Sequence, residues 1–162
     1  MGLSNQRGHL ILATGNKSEL AVGYSTLYGD AVGGFAPIKD IFKVDIWRLA
    51  RWRNNQAGGK VIIPVNSIEK APSAELSPGQ KDSDSLPDYE LLDQVLKLYI
   101  EKNIDATKII ASGFDKAIVD RVVAMVDKAE YKRRQYPPGP KVSPIAFGKD
   151  RRLPMTSRWK ES

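Results

Sequence analysis

The sequence predicts an α/β fold, a partial parallel sheet with flanking helices, and three observations predict it. A continuously apolar run, Leu10-Ile11-Leu12-Ala13, feeds a glycine turn and a capped helix start. Several later segments carry apolar residues at helical spacing. Strand candidates are fewer than those helices would cover, so the sheet is incomplete within this chain.

Leu10 to Ala13 is apolar at every position, as in a strand buried on both faces of a parallel sheet. In the following Thr14-Gly15-Asn16-Lys17-Ser18-Glu19, Gly15 permits a tight turn, Asn16 is a good N-cap and Glu19 stands three residues on, as in a capping box. The glycine-rich stretch from Tyr28 to Pro37 reads as a loop. A helix is expected from Asp40 to Asn54, with Phe42, Ile46 and Leu49 on its apolar stripe and Arg48, Arg51 and Arg53 late, where cations favour the dipole. It ends before Gly58-Gly59. Val61-Ile62-Ile63-Pro64 reads either as a short buried strand or as the apolar start of a loop. From Ser67 to Pro87, Ser, Pro and Asp dominate and predict a mobile loop, a common form of lid. Helical periodicity returns at Leu92, Val95, Leu96 and Tyr99, and again at Ile118, Val122, Met125, Val126 and Ala129. Pro137, Pro138, Pro140 and Pro144 then exclude a continuing helix. Two regions follow, residues 1–135 and an extended basic tail, 136–162. Two strand candidates do not make a sheet, so a truncated domain, or one completed by another chain, is expected rather than a free-standing fold.

The chain has 162 residues, 41% of them hydrophobic and 27% charged, the composition of one globular domain. It has no apolar run long enough to span a bilayer and no apolar signal core after Met1, so a cytoplasmic protein with no membrane segment is expected. The absence of cysteine excludes disulfides, thiol nucleophiles and cysteine-ligated zinc, and the single histidine, His9, excludes a multi-histidine metal site within one chain. His9 borders an apolar run and is read as structural rather than as a general base. Ser18, Ser25 and Ser73 lack a neighbouring histidine, which leaves a Ser-His-Asp reading without support. The net charge is +6, yet residues 131–162 hold nine basic side chains against two acidic ones, and the preceding 130 hold sixteen against seventeen. All of the positive balance thus lies at the carboxyl end, as a solvated basic face or as the meeting place for an anionic partner. Because Tyr131, Tyr136, Phe147 and Trp159 are interleaved with these cations, a basic single-stranded nucleic-acid-binding module is one functional alternative. A partner-docking fragment is another.

Thr14 and Glu19 are the most informative pair. A strand, a glycine turn and a helix N-terminus present amides and a positive dipole end to an anion, and Glu19 can hold a magnesium ion bridging phosphates. Equally, Asn16 and Glu19 can do no more than cap the helix. Lys43 either neutralises a phosphate or is an exposed lysine, and Lys132-Arg133-Arg134 either bind anions or complement a helix dipole.

Several blocks follow in one order: Thr14 to Glu19, Gly23-Tyr24-Ser25-Thr26-Leu27-Tyr28-Gly29-Asp30, Pro37-Ile38-Lys39-Asp40 with Lys43, Leu76 to Asp82, Leu86-Pro87-Asp88-Tyr89-Glu90, Glu130 to Gln135 and Ala146 to Arg152. Together they resemble the synthetase domain of glutamine-dependent NAD synthetases. The resemblance covers essentially the whole chain. It implies part of an adenine-nucleotide alpha-hydrolase-like, or PP-loop ATPase, domain. It also implies a ligase that adenylates deamido-NAD with ATP, releases pyrophosphate and lets ammonia displace AMP to give NAD. The implied cofactors are ATP and Mg2+. The implied partners are deamido-NAD, ammonia or glutamine, and a glutaminase domain, with a homo-oligomer expected. By position, Thr14, Lys43 and Ser73 would contact ATP; Glu19 would bind the metal or deamido-NAD; Tyr24 and Lys132 would contact deamido-NAD. Leu27 stands where ammonia-dependent relatives have lysine, which favours the glutamine-dependent branch. The family's Ser-Gly-Gly pyrophosphate loop and its glutaminase domain are absent from this sequence. It therefore reads as the carboxyl-terminal part of a synthetase domain, inactive on its own.

Overall fold

The computed structural model describes residues 1–74 and 76–156. Within them, helices α1 Gly2–Arg7, α2 Lys17–Val22, α3 Lys43–Asn55, α4 Val65–Glu69, α5 Tyr89–Leu96, α6 Ala106–Ala111, α7 Lys116–Lys128 and α8 Glu130–Arg133 follow one another. α5 continues in π geometry through Lys97–Glu101, and Asp82–Asp84 forms a 3-10 turn.

The core forms where α2, α5 and α7 meet, with α3 laid on α5 and α6 on α7. Leu92, Val95, Leu96 and Tyr99 are all buried, as their spacing predicts. On α7, Val122, Val126 and Ala129 are buried, but Ile118 and Met125 only flank the core, whose centre is shifted toward Val119 and Val123. Full burial of each such aliphatic side chain contributes on the order of 1.5–3 kcal/mol. α2 is the short helix that the capping box predicts: Asn16 Oδ1 accepts from the Glu19 amide at 3.0 Å, and Glu19 Oε2 accepts from the Asn16 amide at 3.1 Å. It stops at Gly23, whose φ of 70° places it in the left-handed region and where a Cβ would lie 2.8 Å from that of Ala129.

The structure differs from expectation at four places. No continuous strand forms among the described residues. The sheet is represented there by one parallel bridge, Leu12 with Phe35, carried by the Ala13 amide to Phe35 O at 2.8 Å and the Gly34 amide to Ile11 O at 2.9 Å. The run Leu10–Ala13 is not buried on both faces: Ala13 is buried, whereas Leu10 is 67% and Leu12 53% exposed, because nothing among the described residues pairs with the far edge. At α3 the buried residues are Val44 and the N-cap Phe42, while Leu49 faces solvent. The Ser67–Pro87 stretch, expected as a loop, contains the end of α4 and the 3-10 turn. Val61–Pro64, read either as a strand or as the start of a loop, is a loop held by Asn54, whose Oδ1 accepts from the Ile62 and Ile63 amides.

The proline-rich segment after Gln135 has no helix, as predicted, yet it is fastened to the body. The Ala36 amide donates to Pro138 O at 2.8 Å, Lys39 Nζ to Pro137 O at 2.9 Å, and the Val142 and Ser143 amides both donate to Asp40 Oδ2 at 2.8 Å. Gly139 passes so close to the 36–39 segment that a Cβ there would stand 2.2 Å from Ala36 O. Tyr136, Ala146 and Phe147 are buried. Beneath this strap lies Lys17, with its side chain fully buried. Its Nζ donates to Glu101 Oε1 at 2.8 Å, Ser143 Oγ at 2.5 Å and Ile145 O at 2.7 Å, and stands 3.2 Å from Asp40 Oδ1. Burial alone would raise the pKa of Asp40. The Ser143 hydroxyl, the Val142 and Ser143 amides and the Lys17 ammonium outweigh it and hold the carboxyl below its ordinary value.

Candidate functional site

A cavity of about 920 Å³ opens between the start of α2, the first turns of α3 and the 67–82 loop. Thr14, Glu19, Tyr24, Lys43, Ser73 and Lys132, the six residues singled out from sequence, all line it. Thr14 sits in the turn before α2, and Glu19 one turn into that helix, with one carboxylate oxygen in the cap and the other 3.2 Å from Lys43 Nζ. Lys43 is the first residue of α3 and has its ammonium 5.4 Å from the centre of the Tyr89 ring. Lys132 reaches back from α8 to donate to Gly23 O at 2.7 Å and Ser25 O at 2.8 Å, so carbonyl dipoles orient its charge at the rim.

The helix start is occupied by the protein itself. The Asn16 and Glu19 amides serve the capping box, and the Lys17 amide donates to Ile41 O at 2.9 Å. These three amides are engaged within the protein, and the side chains of Glu19, Lys43 and Lys132 supply the charged groups of the cavity.

Three contributors went unassigned from sequence. Asp82 is 4% exposed and accepts from the Tyr89 hydroxyl at 2.8 Å through Oδ2. The hydroxyl of Tyr24 is buried with no hydrogen-bond partner among the described residues. Burial first, and then the charge of Asp82, raise the pKa of Tyr24; burial, Glu19 and Asp82 raise that of Tyr89. Both phenols thus stay protonated donors at neutral pH. Trp47 packs edge-on to Tyr89, with ring centroids 5.9 Å apart. One signal for it was in the sequence: Lys43, Ile46, Trp47 and Ala50 follow helical spacing and face the cavity together. Asp82 and Tyr89 lie in the blocks Leu76 to Asp82 and Leu86 to Glu90, 7 residues apart, but nothing in those blocks gave either one a place in the cavity.

The basic end behaves differently from a free cationic face. Arg133 is buried, paired with Glu130 at 3.0 Å and hydrogen-bonded to Ala21 O and Val126 O. Arg134 pairs with Glu130 at 2.6 Å, Lys141 with Asp150 at 2.8 Å, and Arg151 stacks over Tyr99. Arg158, Trp159 and Lys160 lie outside the described residues. His9 is exposed and contributes its backbone to the end of α1. Among the described residues, no helix is long and apolar enough to cross a membrane and no group of three or more His, Cys, Asp or Glu could hold a metal ion.

A solved glutamine-dependent NAD(+) synthetase from Cytophaga hutchinsonii superposes with a TM-score of 0.73 at 23% identity, over 97% of this chain and 26% of that one. That likeness gives the fold class, the PP-loop ATPase fold. A family model for NAD synthase matches residues 1–136, and the chain belongs to this family. It is 55% identical over 161 residues to a glutamine-dependent NAD(+) synthetase of Thermotoga maritima and 54% identical over 160 residues to one of Acinetobacter baylyi. Each alignment covers 99% of this chain but only 28% and 29% of those relatives, so the chain spans well under a third of their length.

Proposed function

We propose that the cavity is one wall of the nucleotide site of a glutamine-dependent NAD synthetase, where ATP adenylates deamido-NAD and ammonia then displaces AMP. The observation that carries this reading is the meeting of Glu19 and Lys43, 24 residues apart, at 3.2 Å in a cavity that also gathers Thr14, Tyr24, Ser73 and Lys132. In this reading Thr14, Lys43 and Ser73 contact ATP, and Tyr24 and Lys132 contact deamido-NAD. Lys43 leaves Glu19 for the phosphates, where a fixed ammonium stabilises the charge that develops on departing pyrophosphate. Tyr24 and Lys132 are donors suited to an anionic dinucleotide.

Magnesium needs only one or two protein carboxylates when phosphates complete its shell, and Glu19 Oε1, the oxygen outside the capping box, fits that demand. Such an ion would neutralise phosphate charge. The rest of the site, including the partial sheet's missing strands and a source of ammonia, belongs to the portion of the relatives that this chain does not cover. The exposed edge at Leu10 and Leu12 supports that division. The nucleic-acid reading is disfavoured because Tyr136 and Phe147 are buried and Arg133, Arg134, Lys141 and Arg151 have partners within the chain.

In the full-length protein, Lys43→Ala and Glu19→Ala should each slow AMP release from ATP and deamido-NAD. One lost charge-assisted bond of about 1.5–3 kcal/mol corresponds to roughly tenfold to a hundredfold. Unchanged AMP release in either variant removes that residue from the reaction. The isolated chain, given deamido-NAD, ATP, magnesium and ammonia, should form no NAD.

A further inference from the structure

α3 begins without a cap of its own. Phe42, at its N-cap, offers no side-chain acceptor, so the amides of the first turn must find partners elsewhere. The Lys43 amide donates to Ser18 Oγ at 2.9 Å, and the Val44 amide donates to Asp93 Oδ2 at 2.9 Å. Ser18 in turn donates its hydroxyl to Asp93 Oδ1. Ser18 from α2 is fully buried and Asp93 from α5 is 2% exposed. The two therefore form a closed bridge between three helices that ends on the backbone of Lys43. An aspartate buried this deeply costs desolvation energy, and among the described residues its hydrogen-bond donors are this hydroxyl and this amide.

We infer that Ser18 and Asp93 are positioning residues that fix the first turn of α3 and so place the Lys43 ammonium in the cavity wall, a role that rests on the phosphate-binding reading of Lys43. Neither side chain lines the cavity, and each acts only through Lys43 and Val44. The bridge runs from α2, which carries Glu19, to α3, which carries Lys43. It therefore sets the separation of the two charged groups as well as the helix start.

Two variants of the chain test this, Ser18→Ala and Asp93→Asn, read by amide hydrogen exchange and by acylation of lysine amines followed by mass spectrometry. The expected result is exchange faster by about tenfold or more at Lys43 and Val44, while Val122 and Val126 in α7 stay within about twofold. Lys43 should also acylate several-fold faster relative to exposed Lys60, as its hold on Glu19 loosens. Exchange at Lys43 and Val44 unchanged in both variants overturns the inference. So does an equal acceleration throughout α7, which would make the bridge a general core contact. If Asp93→Asn fails to fold, Ser18→Ala decides alone, because it deletes a single hydroxyl. A separate titration of Mg-ADP into full-length Lys43→Ala distinguishes the two levels: unchanged affinity there removes the phosphate reading and leaves the positioning result standing.

Discussion

Replacing Lys17 by methionine should remove a substantial part of the stability of this chain. The side chain is fully buried, and its ammonium serves Glu101, Ser143, Ile145 and Asp40 at once. Methionine fills similar volume but leaves two carboxylates facing an apolar group. Deleting one partner of a buried pair costs about 3–5 kcal/mol, because the remaining charge stays desolvated. Asp40 retains three donors, the Ser143 hydroxyl at 2.7 Å and two amides at 2.8 Å, and Glu101 keeps 17% exposure, so the low end, about 3 kcal/mol, applies. That is a large share of the roughly 5–15 kcal/mol typical of a domain. In urea, with a slope of about 2 kcal/mol per molar, the midpoint should fall by about 1.5 M at pH 7 with the slope unchanged. The folded-state pKa of Asp40 is depressed, so its contribution is present above its unfolded value of 3.8 and is lost as pH falls through the folded one. The difference between parent and variant should accordingly narrow below about pH 4. A loss under about 1 kcal/mol at pH 7 would refute the view that Lys17 compensates these buried acids.

Burial raises the Asp93 pKa from 3.8 to about 6, against the opposing Ser18 and Val44 hydrogen bonds and the Lys97 charge. The folded state then binds the proton more tightly than the unfolded state, so this group's contribution falls as pH rises from about 4 to 6 and stays constant above that. Asp93→Asn should remove that fall, on the order of 2–3 kcal/mol across the window, and parallel stability curves for parent and variant would contradict it. Gly139→Ala should cost about 1–3 kcal/mol by forcing the strap away from Ala36 O, and should make residues 136–151 the first site of proteolysis. An unchanged cleavage pattern would show that the backbone yields there without strain.

Legibility followed the range of the interactions. The Asn16 and Glu19 capping box is complete within four residues, and it was readable from spacing alone. The burial of Leu92, Val95, Leu96 and Tyr99 was readable from period, and the lack of helix over residues 136–156 from proline. Lys17 and Ser18 were not readable as buried residues. They look like solvent-facing polar residues in a first turn, but their partners lie 23 to 128 residues away. The same limit hid Asp93, whose partners Ser18 and Val44 are 75 and 49 residues away. Leu10–Ala13 failed in the opposite direction: its apolar run demands neighbours on both faces, and this chain provides one bridge. In the cavity, the motif blocks were sufficient to name six lining residues, whereas the first turn of α3 depends on contacts that no local pattern encodes.

The fastening of Lys17 by Ser143 and Ile145 also sets an order of assembly. Those contacts span 126 and 128 residues, so the segment beneath them is translated long before its anchors leave the ribosome. Until then the ammonium at the start of α2 remains hydrated and the 36–40 stretch has nothing to clasp. The cavity wall thus reaches its final form only once residues 143–145 have been added, and a nascent chain released before then would carry every cavity residue up to Lys132 yet lack the clasp at Lys17.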